Sequence, residues 1–258
     1  MDADEVLQDR PDRPVVRRGG TVRHPAQPWS PSVRALLVHL HEVGFTRAPQ
    51  VLPSEPDWDV LTYLEGEAGP SGWAKVVDER GLAEFARMLR DYHQAVAEWR
   101  PREELTWYDG STGAGGEGEI VCHGDYGPWN VVWRDTTPTG LLDWEYARVA
   151  PPAQDVYYAL QYVAPFRSDA ECLQWLGYSA PPDRRRRTGI FLTSYGWTGP
   201  ADVVDGVIAV QRETHAKVVQ LAAQGHERQR TALAAGAADR VAREIAWAEQ
   251  NRGLFSRE

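Results

Sequence analysis

The sequence predicts an α+β fold in which a small antiparallel β-rich lobe precedes a larger, mainly helical lobe. Three observations predict it: short extended segments fill the N-terminal quarter of the 258 residues, helical apolar spacing dominates after residue 152, and a Gly/Pro-rich link at residues 66–72 separates the patterns. We therefore place a reduced N-terminal lobe and its hinge at residues 1–66, and the helical lobe at residues 67–258.

The N-terminal quarter contains the elements of a small sheet that carries one helix. Five segments are predicted as strands, namely residues 5–8, 14–17, 21–23, 50–52 and 59–64. The turn Gly19-Gly20 favours a hairpin between the second and third strands. Ser30-Pro31 is typical of a helix start, apolar residues follow at helical spacing, and Gly44 ends the helix.

The rest of the chain is predicted as helical, apart from short strands around one polar segment. A helical apolar stripe begins near Asp78 and reaches Val96, and residues 109–118 form a glycine-rich loop. Three short strands follow at residues 120–122, 131–133 and 140–142. The four consecutive arginines at residues 184–187 are predicted to lie in a solvated loop.

Composition excludes several classes of protein. The net charge is −9, which argues against a general nucleic-acid binder. No apolar run approaches the roughly 18 residues that a membrane span needs, and the polar N-terminus has no signal-peptide pattern. The two cysteines, Cys122 and Cys172, cannot form a disulfide framework. We therefore expect a cytoplasmic protein without a nucleic-acid or membrane partner, and we predict no particular oligomeric state.

One polar segment carries the chemistry. It is His123-Gly124-Asp125 with Asn130 five residues further on, followed by Asp143-Trp144-Glu145 after a hydrophobic strand. Mg²⁺ prefers oxygen ligands and shares them with substrate phosphates, so Asn130 and Asp143 suit it. Asp125 could accept the proton of a hydroxyl nucleophile. Each of these residues alone has an ordinary structural explanation, but their joint arrangement at strand ends indicates one functional site.

The pattern His-x-Asp-x-x-x-x-Asn followed by hydrophobic-Asp-Trp-Glu resembles the aminoglycoside phosphotransferase family, which has a bilobal protein-kinase-like fold. The resemblance implies that Asp125 is the catalytic base, that His123 is the histidine that holds the catalytic loop, and that Asn130 and Asp143 bind Mg²⁺. It also implies that Asp155 braces the loop. The nucleotide, ATP with GTP as the alternative, would contact the hinge residues Tyr63, Leu64 and Glu65.

The nucleotide-binding half departs from the family pattern. The loop between the first two strands, residues 9–14, has no glycine, and its two prolines remove amide donors. The third strand has no lysine for the phosphates, so Arg23 is the cationic substitute at that place, and the following helix lacks the usual glutamate.

Three hypotheses are compatible with these motifs. The favoured one is an ATP-dependent phosphotransferase that acts on a hydroxyl of a small molecule, with the acceptor bound by the helical lobe. The second is a degenerate kinase that binds a nucleotide or small molecule without phosphoryl transfer. The third keeps the metal site for another reaction. The motifs do not distinguish an aminoglycoside from a macrolide, a small amino alcohol or a biosynthetic intermediate.

Overall fold

The computed structural model describes residues 4–9, 13–53, 56–101, 104–225 and 227–255. The chain divides into two compact units, the first formed by residues 1–72 and 88–152 and the second by residues 73–87 and 153–258. The predicted α+β fold is confirmed, because the described strands belong to the first unit and the described elements of the second unit are helices. The lobe boundary at residue 66 stays a prediction.

A four-stranded antiparallel sheet forms the N-terminal part of the first unit. Its strands, in spatial and sequence order, are β1 (Glu5–Gln8), β2 (Val15–Arg18), β3 (Thr21–Pro25) and β4 (Trp58–Thr62). The predicted turn Gly19-Gly20 joins β2 to β3, and Arg23 pairs with Val16 on one side and Val60 on the other. Because side chains alternate along a strand, Val22 and His24 share one face of β3, and Arg23 lies on the opposite face.

The strand predicted at residues 50–52 is wrong. Only Val51 forms a bridge, with Leu61, while Leu52 donates to the carbonyl of Val60 and Thr62 donates to that of Gln50. Pro49 and Pro53 flank this segment, and neither has an amide to extend the ladder. The segment therefore pairs with β4 through a single bridge and does not continue as a strand.

The remaining elements of the first unit surround a core of leucine and aromatic side chains. Helix α1 (Ser30–Glu42) buries Leu36, Leu37 and Leu40 completely. Two antiparallel pairs, β5 (Ile120–Cys122) with β8 (Arg148–Ala150) and β6 (Val131–Arg134) with β7 (Thr137–Leu141), hold the polar segment between them. The first unit also receives the C-terminal half of the helix over Glu79–Val96, where the buried Tyr92 donates its hydroxyl to the carbonyl of Val121, 2.7 Å away.

The described secondary-structure elements of the second unit are all helices. Its helices are α2 (Gly72–Val77, from Trp73 on), the first half of α3 (Glu79–Val96), α4 (Ala153–Val163), α5 (Asp169–Trp175), α6 (Arg184–Tyr195), α7 (Val204–Ala223), α8 (Glu227–Ala234) and α9 (Ala237–Gln250). Phe85 packs on Phe191, and Phe166 stacks on Phe255 with ring centroids 3.9 Å apart. Within the described ranges no helix combines the length and the apolar composition that crossing a membrane requires.

The four arginines at residues 184–187 do not form a solvated loop. They are the first turn of α6, whose N-cap Asp183 accepts a hydrogen bond from the amide of Arg186. Arg184 and Arg187 are buried, at 4% and 5% exposure, whereas Arg185 and Arg186 face the solvent. The prediction of a loop is wrong because half of these charges are satisfied by carbonyl groups of neighbouring turns.

Candidate active site

The loop after β5 is organised by His123, which is completely buried. The amide of Asp125 lies 3.3 Å from Nδ1 of His123, and Nε2 lies 2.9 Å from the carbonyl oxygen of Leu142. Because an amide can only donate, Nδ1 accepts and Nε2 carries the proton that it donates to Leu142. A neutral imidazole thus ties the loop of Asp125 to the segment that leads into Asp143.

Asn130 fixes the carboxylate of Asp125. Its Nδ2 lies 2.9 Å from Oδ2 and 2.9 Å from the main-chain oxygen of Asp125, and the side chain is nearly buried. Both partners are acceptors, so the amide nitrogen must face them and the carboxamide oxygen, Oδ1, points away. The carbonyl of Asn130 in turn accepts from the amide of Leu142, which links this residue to the Asp143 segment as well.

Asp143 stands at the end of β7 in a left-handed backbone conformation, with φ of 57°. This conformation costs most non-glycine residues free energy, although aspartate adopts it more readily than other residues do. The next residue, Trp144, is buried and donates its indole N–H to the carbonyl of Leu141, so it packs in the core. The strained position of Asp143 is thereby fixed by a rigid neighbour.

A cavity of about 510 Å³ within the first unit brings Asn130 and Asp143 together with the sheet, whereas Asp125 and His123 are not among its lining residues. Asn130, Asp143 and Glu145 line one part of it, while apolar side chains such as Val15 and Leu61 line another. Of the predicted hinge residues, Tyr63 and Leu64 line the cavity. Glu65 is not among the lining residues and pairs with Arg17, whose guanidinium also lies 3.7 Å from the centroid of the Tyr63 ring.

The cation in the cavity is Arg13, which the sequence analysis did not single out. Its guanidinium forms an ion pair with Glu145 and reaches Oδ1 of Asp143 at 3.5 Å. Gln8 donates to the carbonyl of Arg13 at 2.9 Å, so the end of the loop between β1 and β2 is held to the end of β1. The predicted nucleotide loop at residues 9–14 lies partly outside the described residues, because residues 10–12 are not described.

Arg23 has a different environment from the one implied by the family resemblance. It is not among the residues that line the cavity, and its guanidinium lies 5.3 Å from the centroid of the Trp58 ring. The cavity-facing positions of β3 are Val22 and His24. Strand alternation explains this difference, because a shift of one residue moves a side chain to the other face.

His24 and Asp59 form a second polar group in the cavity that the sequence reasoning missed. Asp59 is buried, accepts from the hydroxyl of Ser30 and pairs with Arg34 at 3.1 Å. Nδ1 of His24 lies 3.7 Å from this carboxylate. Burial, and after it the nearby charge of Arg13, lowers the pKa of His24 below its usual 6.5. The imidazole is therefore neutral at pH 7.

Helix α1 lacks the usual glutamate but contributes to an ion pair with the sheet. In this chain α1 supplies the cation, Arg34, and β4 supplies the carboxylate, Asp59. The only signal in the sequence was an aspartate within an otherwise apolar strand, since a buried charge requires a partner.

The donor set at Asn130 and Asp143 fits a hard divalent cation. Oδ1 of Asn130 is left over from the contact with Asp125, and the carboxylate of Asp143 is 36% exposed. Both line the same cavity, and Mg²⁺ prefers such oxygen ligands. These two residues could hold the ion, and Glu145 lies two residues beyond Asp143.

Comparisons with known proteins identify the family of this chain. A family model described as the phosphotransferase enzyme family (APH) matches residues 109–189, the range that contains the Asp125 loop and the Asp143 segment. The trifolitoxin immunity protein of Rhizobium leguminosarum bv. trifolii is 35% identical over 188 residues, which cover 70% of this chain and 70% of that protein.

Two solved structures show the same fold over nearly the whole chain. The amicoumacin kinase hAmiN, in complex with AMP-PNP, Ca²⁺ and Ami, gives a TM-score of 0.63 at 11% identity and covers 99% of this chain and 90% of its own. A choline/ethanolamine kinase family protein from Mesorhizobium loti gives 0.58 at 15% identity, with 97% and 94% covered. The fold is thus that of the kinase-like phosphotransferases. Within this class, the chain belongs to the APH phosphotransferase enzyme family.

Proposed function

We propose that the protein transfers the γ-phosphoryl group of ATP, with GTP as the alternative donor, to a hydroxyl group of a small molecule. One observation carries this proposal: the amide of Asn130 holds the carboxylate of Asp125, while Asn130 itself and Asp143 line one cavity. A base and two oxygen ligands held in a fixed relation are what phosphoryl transfer needs, because its catalysis is mostly positioning and charge neutralisation.

In this mechanism Asp125 orients the acceptor hydroxyl and takes its proton. The acceptor oxygen forms a bond to the γ-phosphorus, the bond from that phosphorus to the β–γ bridging oxygen breaks, and the nucleoside diphosphate leaves. Asn130 keeps the Asp125 carboxylate in one orientation through the 2.9 Å contact. His123 keeps the loop in register with the Asp143 segment through Leu142. The proton finally resides on a carboxylate oxygen of Asp125.

Asn130 and Asp143 would hold the Mg²⁺ ion, which supplies charge neutralisation at the phosphate oxygens when it is bound. The base of the nucleotide would lie near Tyr63 and Leu64, beside the apolar part of the cavity. The nucleotide complexes known for related folds, such as the amicoumacin kinase with AMP-PNP, support the proposal that this chain binds a nucleotide.

The first acceptors to screen are toxic natural products with a free hydroxyl. The relative with 35% identity is named as an immunity protein for trifolitoxin, which links that protein to resistance against a toxin. Aminoglycosides, macrolides and small amino alcohols complete the panel. Phosphorylation of such a compound would be read by ³¹P nuclear magnetic resonance and by release of ADP.

The substitution Asp125→Asn tests the assigned base. We expect the rate of phosphoryl transfer to fall about 10²- to 10⁴-fold, because general-base catalysis is lost. The melting temperature should stay close to that of the wild type, because an amide occupies the same volume.

The matched control is Asp135→Asn, in the exposed turn between β6 and β7, where φ is 53° and asparagine is well tolerated. It should retain full activity. Wild-type rates in the Asp125→Asn variant, with the Asp135→Asn control also active, would show that Asp125 is not the base.

A second candidate function is binding without transfer. The observation that favours it is that Arg13 pairs with both Asp143 and Glu145. A positive charge at this place repels a metal cation. Under this function, nucleotide or toxin would raise the melting temperature by mass action, while no ADP would form with any acceptor. A Mg²⁺-dependent shift with ATP that is lost in Asp143→Ala, together with ADP release, would favour the enzyme instead.

A further inference from the structure

Arg13 has an unusual position for a charged side chain at the end of a loop. Its side chain is only 15% exposed, and its guanidinium contacts Glu145, which is 14% exposed, and Asp143. Its Nε is buried and has no hydrogen-bond partner among the described residues. A guanidinium has five N–H donors, and both carboxylate contacts use Nη1, so Arg13 keeps further donors for a ligand.

The residues that line the cavity offer a polyanionic ligand few positively charged contacts. Among its lining residues within the described ranges, Arg13 is the one lysine or arginine. His24 also faces the cavity but is neutral at pH 7. Asp143 and Glu145 contribute negative charge, and the charge of Asp59 is already matched by Arg34. A nucleoside triphosphate would therefore find its protein cation at Arg13.

We propose that Arg13, which precedes β2, is the phosphate-binding cation of this chain, and that Asp143 and Glu145 hold its guanidinium until a nucleotide binds. This inference rests on the proposed function. On binding, the guanidinium exchanges its carboxylate partners for phosphate oxygens, and Asp143 becomes free for the divalent cation. Arginine suits this exchange because its planar fork matches carboxylate and phosphate groups alike.

The exchange predicts that loss of Arg13 weakens the binding of ATP and strengthens the binding of a divalent cation. In Arg13→Gln, the affinity for ATP without metal should fall about 10- to 100-fold, because a charge-assisted contact is lost. Affinity for adenosine, which has no phosphate, should not change. Affinity for Mn²⁺ alone, a probe for the divalent cation, should rise, because the competing cation has left Asp143. A purely structural role of Arg13 would weaken all three.

Isothermal titration calorimetry measures the three affinities, with Arg47→Gln as the matched control. Arg47 also forms an ion pair, with Asp91 at 3.0 Å in the same unit, but it does not line the cavity. The control should bind all three ligands as the wild type does. Circular dichroism and the melting temperature verify that each variant is folded.

Glu145→Gln provides a second variant if Arg13→Gln does not fold. It removes one of the two groups that hold the guanidinium, so affinity for metal-free ATP should rise about threefold. A fall in that affinity would overturn the proposal, because Glu145 would then support nucleotide binding rather than compete with it.

The outcomes separate this inference from the proposed function. Wild-type binding of ATP that Arg13→Gln leaves unchanged overturns the role of Arg13 and leaves the phosphotransferase intact. A loss confined to Arg23→Gln also overturns it, because the cation would then be the one on β3. A wild-type protein that binds adenosine but neither ATP nor ADP overturns the proposed function, and the role of Arg13 with it.

Discussion

Gly124 lies between His123 and Asp125 in the loop after β5, and two features of its environment require glycine. Its φ of 78° belongs to the left-handed region, which glycine adopts without strain. In addition, a Cβ at this position would collide with the carbonyl oxygen of Tyr146. The tight approach of the two segments fixes the loop relative to the turn that follows Asp143.

We predict that Gly124→Ala disrupts the site more than its backbone strain alone would. Gly118→Ala is the matched control, because Gly118 has φ of 77° but open space at its Cβ position. The control should lose about 1–2 kcal/mol of unfolding free energy from strain. Gly124→Ala should lose more and should also lower the rate of phosphoryl transfer. Urea denaturation measures the first quantity, and equal losses in the two variants would contradict the prediction.

At the residue scale, the motif residues could be predicted from the sequence, and their surroundings could not. The spacing of His123, Asp125 and Asn130 is local, and the structure joins these residues through hydrogen bonds. Arg13 is 130 residues from Asp143, and nothing in a single sequence indicates that the two side chains meet. The sequence of a polar loop is the same whether its charged residue is solvated or forms an ion pair.

At the element scale, helix α6 shows how a charged turn can be part of a core. Nε of Arg187 donates to the carbonyl of Val163 at 2.7 Å, and its two terminal nitrogens donate to the carbonyls of Val76 and Val77. These carbonyls stand at or near the ends of α4 and α2, where a helix leaves acceptors without internal partners. One guanidinium therefore caps two helices of the second unit.

The substitution Arg187→Met should destabilise the protein by about 3–5 kcal/mol, because three buried acceptors lose their donor. Arg185→Gln, in the same turn but exposed, should change the unfolding free energy by about 0.5 kcal/mol or less. Both values come from urea denaturation followed by circular dichroism. If the two substitutions had equal effects, the carbonyl contacts of Arg187 would not stabilise the second unit.

Elements were predictable where apolar periodicity or a turn motif determines them. The hairpin at Gly19-Gly20 and the helix after Asp78 follow from such local signals, and both are confirmed. The segment at residues 50–52 has strand composition, but its flanking prolines limit it to one bridge. The loop prediction for the first turn of α6 is wrong because consecutive charged residues usually indicate exposure. Arg187 instead donates to carbonyl groups of helices that are distant in sequence.

At the scale of the whole molecule, the net charge has the same sign as the proposed phosphate ligand. The chain carries a net charge of −9, whereas the proposed donor is a polyanion. Salt screens exposed charges beyond about 8 Å under physiological conditions, so distant acidic residues matter little. The charges in the cavity decide binding, and there the one arginine among the described lining residues faces two carboxylates.

His24 contributes to the pH dependence of the unfolding free energy. Its pKa in the folded protein lies below the usual 6.5, mainly because of burial and next because of Arg13, although Asp59 and Asp143 act in the opposite direction. Below pH 6.5 the unfolded chain therefore binds a proton that the folded protein resists. The contribution of His24 to the unfolding free energy is complete above pH 6.5 and is lost as the pH falls toward the lowered pKa.

We predict that His24→Gln reduces the decrease in unfolding free energy between pH 7.5 and pH 5.5. Glutamine cannot take up a proton, so only the other groups still titrate. Glu244, whose pKa is raised by burial, is present in both proteins and cancels in the comparison. Urea denaturation at each pH gives the two curves, and nuclear magnetic resonance identifies the imidazole signal that His24→Gln removes. Parallel curves would mean that His24 titrates alike in the folded and unfolded chain, and the burial of its ring in the cavity would then have no electrostatic consequence.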